Sequence, residues 1–268
     1  MVRGRSITAI ITIITTITTT IIRTNLVGLE PRLGQREVAQ KARQAKAQAL
    51  LQIWLSPAFP VGAFAYSHGL EAAVDQGWIR DRQTLKAWLA DLVEFGSLQN
   101  DLIFVACAWR AAATENDENL REIIEFAAAL QPSAERFLEA TQQGRSFLQQ
   151  IEASWPPPRP MPAAIQDCSD VVYAVAVGVA SALHHIPVAD VLRAYAIAFV
   201  GNLLSAAIRL SIIGPTESQQ LLAQLTPDLI AVAASAETAT LEDLGSATWR
   251  SDLASLLHET QHTRLFRS

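Results

Sequence analysis

The sequence predicts an all-α protein, a single-domain bundle of roughly eight to ten helices behind an extended N-terminal strip. Helix-forming residues and apolar positions at helical spacing recur along the chain from residue 38 onwards. After residue 40, no alternation of apolar and polar residues is long enough for a half-buried strand. Half of all residues are hydrophobic, which allows a large core without disulfides or metals.

The first 37 residues form a low-complexity, isoleucine- and threonine-rich extension that we place outside the fold, leaving residues 38–268 as the all-α domain. Arg3 and Arg5 precede the run ITAIITIITTITTTII, an order that also occurs in signal peptides. Threonine is too frequent for a signal peptide, however, and no small-residue cleavage site follows. The run is also shorter than the ~20 residues that span a bilayer.

The first helices of the domain are marked by their composition and by the residues that end them. The stretch REVAQKARQAKAQALLQIWL is rich in good helix formers and should stop at Ser56-Pro57, because proline disfavours a helical residue before it. A second helix is predicted from Ala63 to Asp75, before Gly77. Two more are predicted over residues 119–130 and 133–151. Between the second helix and residue 119, five residues at helical spacing predict one amphipathic face: Leu85, Trp88, Leu89, Leu92 and Val93.

The second half of the domain is more apolar. Five prolines in SWPPPRPMP predict an extended surface loop. Beyond it, SDVVYAVAVGVASALHH and DVLRAYAIAFVGNLLSAAIRLSII are apolar on nearly all sides. Asn202 and Arg209 interrupt the longer run, so buried central helices are favoured over membrane spans. Small residues would let these helices approach closely: Gly178, Ala180, Gly201, Ala206 and Ala207.

The net charge and the two cysteines exclude several classes of protein. A net charge of -5 argues against a nucleic-acid-binding surface, which needs a basic face. Cys107 and Cys168 lie far apart and form no C-x-x-C pattern, which suits a reducing cytosol rather than a disulfide framework. Neither a phosphate-binding G-x-x-x-x-G-K-[ST] loop nor G-x-G-x-x-G occurs. No converging catalytic set is evident.

His258, Glu259 and His262 spell H-E-x-x-H, the pattern of zinc-dependent hydrolases. A catalytic zinc site needs a third protein ligand, but residues 263–268 contain no His, Glu or Asp. On a helix turning ~100° per residue, both histidines are predicted to face solvent. We therefore expect no metal site and keep the hydrolase as an alternative. The apolar face of the same helix is predicted to consist of Trp249, Leu253, Leu256 and Leu257.

Two segments have the composition of docking surfaces, although core packing is an equal interpretation of the first. The Pro–Gly segment, SPAFPVGAFAYSHGLE (residues 56–71), places Phe64 and Tyr66 beside turn-forming residues. The tail, TRLFRS (residues 263–268), offers Arg264, Phe266 and Arg267. These five aromatic and arginine residues are the candidate partner-binding residues. We expect the tail to be loose in the isolated protein and to become ordered on a partner.

Three stretches resemble the UreF family of urease accessory proteins. The Pro–Gly segment is similar to the family's Pro-(Val/Ile)-Gly turn followed by Ser-x-Gly-Leu-Glu. YAIAFVGNLLSAAIRLSIIGPTESQQLL is similar to its long apolar helix, and HETQHTRLFRS resembles its His-Glu-x-x-x-(Ser/Thr)-Arg-Leu-aromatic-x-Ser ending. The resemblance covers about residues 48–268. Pro215 and Ser218 depart from the pattern, and the isoleucine- and threonine-rich strip has no counterpart.

The resemblance implies an all-α, usually dimeric, cytoplasmic protein that is not an enzyme and binds neither nucleic acid nor membrane. Its partners would be UreD (also called UreH), the GTPase UreG and the urease apoprotein, with nickel and GTP handled through those partners. Phe64 matches an aromatic residue linked to docking, in place of a tyrosine found in some relatives, and Arg264 matches the arginine of the ending. A zinc hydrolase and an unrelated α-helical interaction module remain the alternatives.

Overall fold

The structure, a computed structural model, describes residues 37–268. Residues 37–54 form helix α1. Ten further helices follow in the described chain: α2 (Leu70–Asp75), α3 (Arg82–Phe95), α4 (Ser97–Ala113), α5 (Asp117–Ala129), α6 (Ala134–Ser154), α7 (Ala163–Gln166), α8 (Tyr173–Leu183), α9 (Val188–Arg209), α10 (Pro215–Ala236) and α11 (Trp249–His258).

The predicted all-α class is confirmed, since no strand occurs among residues 37–268. Of the eleven α-helices within residues 37–268, ten have six residues or more, and only α7 is shorter, with four. The predicted number of roughly eight to ten helices is therefore confirmed. A compact unit spans Ala47–Ser268. Of the proposed N-terminal extension, residues 1–36 lie outside the described residues.

Helices α4 and α8 form the central pair of the bundle, and α6 and α9 pack around them. A Cβ atom on Gly178 of α8 would lie 2.5 Å from the backbone oxygen of Val105 on α4, so the absence of a side chain permits this crossing. The prediction that Gly178 serves a close approach is therefore confirmed. The same prediction for Gly201 is wrong, because a Cβ atom there would meet nothing within 4 Å.

Helix α9 has the length and apolar composition of a membrane span, and it is alone in this among the described helices. Half of its most apolar window is buried inside the bundle. Helix α8 is shorter, and its residues from Ala174 to Leu183 are all buried. These two helices thus occupy the positions predicted for central helices of a bundle.

The helix predicted from Ala63 to Asp75 is interrupted in the structure. A single 3-10 turn covers Ala63–Ala65, and α2 begins only at Leu70. Between them the backbone of His68 and Gly69 has positive φ angles of 61° and 77°. A Cβ atom on Gly69 would lie 3.0 Å from the backbone nitrogen of Ser255. The interruption thus brings the Pro–Gly segment against α11.

Candidate partner-binding surface

The Pro–Gly segment and the tail lie side by side, although they are some 200 residues apart in the chain. The backbone N–H of Arg267 donates to the oxygen of Ala65 over 2.8 Å, and that of Ser67 donates to the oxygen of Ser268 over 2.9 Å. The Ser67 hydroxyl donates to the same oxygen. The structure therefore packs the tail against the domain, contrary to the expectation that it is loose in the isolated chain.

Glu71, the last residue of the Pro–Gly segment, explains why the tail is held. Its carboxylate accepts the backbone N–H groups of Leu265 at 2.7 Å and Phe266 at 2.9 Å. The same carboxylate lies 3.1 Å from Nε2 of His258. Because Glu71 is itself buried, these donors satisfy a charge that water does not reach.

His258 is fully buried at the end of α11, so the prediction that it faces solvent is wrong. Its Nδ1 lies 2.6 Å from Glu135 and its Nε2 faces Glu71. Each ring nitrogen of His258 is thus within hydrogen-bond distance of a carboxylate oxygen. The physical reason for the burial is electrostatic, since two carboxylates from α2 and α6 surround the imidazole.

This arrangement does not support the zinc-hydrolase alternative. Both ring nitrogens of His258 face carboxylates, whereas His262 is exposed. Within residues 37–268, no group of three His, Cys, Asp or Glu side chains is placed to hold a metal ion. Glu259 instead accepts the backbone N–H of Ala134, 2.8 Å away at the start of α6.

Arg264 joins the tail to the end of α11. Its guanidinium donates to Glu135 at 2.5 Å and to the backbone oxygens of Gln261 and Glu259, both at 2.6 Å. These bonds use the planar, multi-donor geometry that distinguishes arginine from lysine. About a third of the side chain is exposed, so Arg264 positions the tail and still borders the surface.

Arg209, at the end of α9, links the two predicted docking segments. Its guanidinium lies 3.7 Å from the ring centroid of Phe64 and 4.1 Å from that of Phe266, a distance range typical of cation–π contacts. It also donates to the backbone oxygen of Phe64. In the sequence, Arg209 is visible only as an interruption of an apolar run. A lone arginine ending such a run is the signal that could have identified it.

The five candidate residues divide into exposed and buried groups. Phe64 is 67% exposed, and Arg264 and Arg267 are also exposed, so these three side chains are accessible to a partner. Tyr66 and Phe266 are buried beneath them. The Tyr66 hydroxyl donates to Gln142, and burial raises its pKa although Arg267 opposes the shift. Tyr66 and Phe266 therefore support the exposed residues of this surface from within the core.

A second buried cluster of charges surrounds Glu139 on α6. Glu139 forms an ion pair with Arg136 and accepts the Ser268 hydroxyl at 2.6 Å. Burial opposes its charge, but Arg136 and the hydrogen bonds from His68 and Ser268 hold the pKa of Glu139 well below its usual range. Burial, together with Arg136, lowers the pKa of His68 to about 4. The cluster fixes the last residue of the tail.

Of the four residues predicted for the apolar face of α11, three lie at the surface, and the fourth, Leu257, packs against the core. Trp249 is 78% exposed, and Leu253 and Leu256 are each 47% exposed. We call these three residues the α11 stripe. Small and polar residues face inward because α11 lies close to α2, where Gly69 approaches Ser255. The buried residues are Ser251, Ala254, Ser255 and His258.

Comparison with known proteins agrees with the resemblance seen in the motifs. The sequence model of the UreF family matches residues 79–226. The urease accessory protein UreF of Xanthobacter autotrophicus is 48% identical over 243 residues, covering 90% of this chain and all of that protein. UreF of Rhodopseudomonas palustris strain BisA53 is 49% identical over 231 residues, which cover 86% of this chain and 97% of that protein. The chain belongs to the UreF family of urease accessory proteins.

Proposed function

We propose that this chain is a non-catalytic scaffold that bridges UreD (UreH) and the GTPase UreG, so that nickel is inserted into the urease apoprotein in a GTP-dependent step. The observation that carries the proposal is the joining of the two family motifs. The Pro–Gly segment and the tail form one surface, on which Phe64, Leu265 and Arg267 are exposed. The buried carboxylates of Glu71 and Glu139 and the partly buried carboxylate of Glu135 hold this surface in place.

The polar groups beneath this surface support a structural rather than a catalytic role. His258, Glu71 and Glu135 are bonded to one another or to the tail, so these three groups hold the tail in place. In this proposal the chain carries no cofactor, and nickel and GTP are held by its partners. It acts in the cytoplasm.

We include a homodimer in the proposal and place its contact on the outer face of α9. Ile197 is exposed there, and Ala194, Ala198 and Gly201 beside it have small side chains or none. These residues border a cleft of about 920 Å³. An apolar face with small residues permits a close approach of a second helix.

Arg264→Ala tests the scaffold. Because Arg264 fixes the tail against Glu135, its loss should loosen the tail and weaken assembly with UreD and UreG by about thirtyfold, the effect of losing an interface residue worth ~2 kcal/mol. Arg264→Lys should restore assembly only in part, since the charge stays but the three-way bonding is lost. The measurement is co-purification with tagged UreD and UreG, followed by a urease activation assay.

Arg121→Ala is the matched control, because it also removes one exposed ion pair, to Asp167, without touching the tail. It should assemble like the wild type. If the Arg264→Ala variant forms the complex normally, the tail is not part of the interface. If the wild-type chain itself retained neither partner, the scaffold role would be wrong.

A further inference from the structure

The segment that joins α6 to α7 is a proline-rich strap, residues 155–162, with the sequence WPPPRPMP. None of its residues lies in a helix or a strand. Proline fixes its φ angle at about −65° and has no backbone N–H, so the five prolines exclude a helix interior or a sheet ladder. The residue before a proline is also restricted to extended conformations. The strap is therefore stiff even without its contacts to the bundle.

Both ends of the strap are anchored to the bundle. The Trp155 ring packs on Phe59, with 5.7 Å between the ring centroids, and the backbone oxygen of Trp155 lies 3.1 Å from Nε2 of His184. At the other end Met161 is buried, and its backbone oxygen accepts the side-chain amide of Gln166 at 2.7 Å. Because Phe59 belongs to the Pro–Gly segment, the first anchor also places the strap beside one of the two motifs on which the scaffold role rests.

The middle of the strap turns alternate residues towards the bundle. Pro157 and Arg159 are half-buried there. The Arg159 guanidinium donates to the backbone oxygen of Ala112 at 2.5 Å and forms an ion pair with Glu115. The three residues between and beside them are exposed prolines: Pro156, Pro158 and Pro160. The contacts of the inward residues thus hold three proline rings at the surface.

The three exposed prolines offer apolar rings and carbonyl oxygens but no hydrogen-bond donor, because proline has no N–H. A surface that complements them supplies flat apolar area for the rings, together with N–H or O–H groups for the carbonyl oxygens. Tryptophan and tyrosine side chains combine both properties, and aromatic-lined grooves are common receptors of proline-rich segments. The chemistry of the strap therefore favours an aromatic partner surface over a charged one.

The strap is already held in one conformation, which favours its use as a ligand. A flexible segment loses conformational entropy when it binds, and that loss reduces its affinity. Here the fixed φ angles and the anchors at Trp155, Arg159 and Met161 have removed much of this freedom during folding. More of the contact energy with a partner therefore remains available for binding.

We propose that the strap is a docking element for a protein partner that presents a shallow groove of aromatic side chains with N–H or O–H donors. In the complex, the rings of Pro156, Pro158 and Pro160 lie against those aromatic side chains. The inference rests on the proposed scaffold role, because it requires that the chain assembles with other proteins. It adds a contact outside the tail and gives the chemistry of the groove that receives the strap.

Two double variants separate docking from stiffness. Pro156→Ala/Pro158→Ala removes two exposed rings, whereas Pro157→Ala/Pro162→Ala removes two half-buried rings of the same strap. Both free two φ angles, but only the first changes the exposed face. The first variant should weaken binding to at least one of purified UreD, UreG and urease apoprotein by about tenfold or more, as the loss of a central contact does, while the second binds all three like the wild type. Isothermal titration calorimetry measures the affinities, and circular dichroism checks the fold.

Pro158→Arg places a bulky charge on the exposed face at a single position, and Pro132→Arg, at an exposed proline of the loop between α5 and α6, is its control. Pro158→Arg should weaken binding to the same partner, and Pro132→Arg should not. Wild-type affinity of Pro158→Arg for all three partners, or equal losses in the two double variants, would overturn the docking role of the strap and leave the scaffold role intact. Failure of the wild-type chain to bind any of the three would overturn both.

Discussion

A single buried imidazole, that of His258, joins the last helix to the tail through two carboxylates. Glu71 and Glu135 each bond to His258 and to the tail at once, through the backbone of Leu265 and through Arg264. A buried charge that loses its partner is strongly destabilising, because the remaining group keeps its desolvation cost. His258 is therefore expected to matter for stability more than any exposed residue of the tail.

His258→Ala should lower the free energy of unfolding by about 1–3 kcal/mol, because the buried Glu71 carboxylate would lose its imidazole partner, whereas Glu135 would keep Arg264. His262→Ala, the matched control on an exposed position of the same motif, should change it by no more than about 0.5 kcal/mol. Urea unfolding followed by circular dichroism measures both. Equal urea midpoints for the two variants would show that the contacts of His258 with Glu71 and Glu135 do not stabilise the fold.

At this scale the sequence motifs did not predict the surroundings of their residues. Apolar spacing on α11 predicted an apolar face through Trp249 and Leu253 with His258 on the solvent side, whereas the structure exposes Trp249 and Leu253 and buries His258. The orientation of the helix is decided by Glu135 and Glu71, which lie 123 and 187 positions earlier in the chain. Local periodicity contains no information about partners that distant.

Among the helices, α4 and α8 cross so closely that the contact leaves no room for an added side chain. Its spacing depends on Gly178, whose missing Cβ leaves room for the backbone oxygen of Val105. Gly201 on α9 is also a helical glycine, but it faces open space. Alanine at Gly178 would test the packing requirement, whereas alanine at Gly201 would test only the intrinsic cost of glycine in a helix.

Gly178→Ala should destabilise the protein by about 1–3 kcal/mol, because the added methyl group forces two central helices apart. In the monomeric chain, Gly201→Ala should be neutral or stabilising by up to about 1 kcal/mol, since alanine is the better helix former and meets no neighbour within the chain. Thermal unfolding at one protein concentration gives the comparison. A stable Gly178→Ala protein would mean that the crossing adjusts without cost.

Helix positions were largely predictable from the sequence where capping residues and prolines mark them. The predicted segments 119–130 and 133–151 correspond to α5 and α6 within a few residues. Asn116 and Ser133 accept backbone N–H groups at the two helix starts, as their side chains favour. The break at His68 was missed because histidine rarely adopts a positive φ, and only the contact of Gly69 with α11 requires it.

In the molecule as a whole, the fold is complete within the unit Ala47–Ser268. Residues 37–46 of α1 are exposed throughout. Deleting residues 1–37 should therefore preserve both the helical content and the melting temperature of residues 38–268. Circular dichroism of the shortened and full-length chains checks this outcome. A fall of more than a few degrees in the melting temperature would show that the deleted residues stabilise the core.

The pairing of Ser67 with Ser268 imposes an order on biosynthesis. The two residues are 201 positions apart, so at roughly 5–20 residues per second a ribosome needs about 10–40 s between them. During that time Glu71 lacks both His258 and the backbone donors of Leu265 and Phe266. The bundle can collapse while it is being translated, but its proposed docking surface assembles only once residues 258–268 have been synthesised, so a chain that stops before them would carry a half-built surface and uncompensated carboxylates.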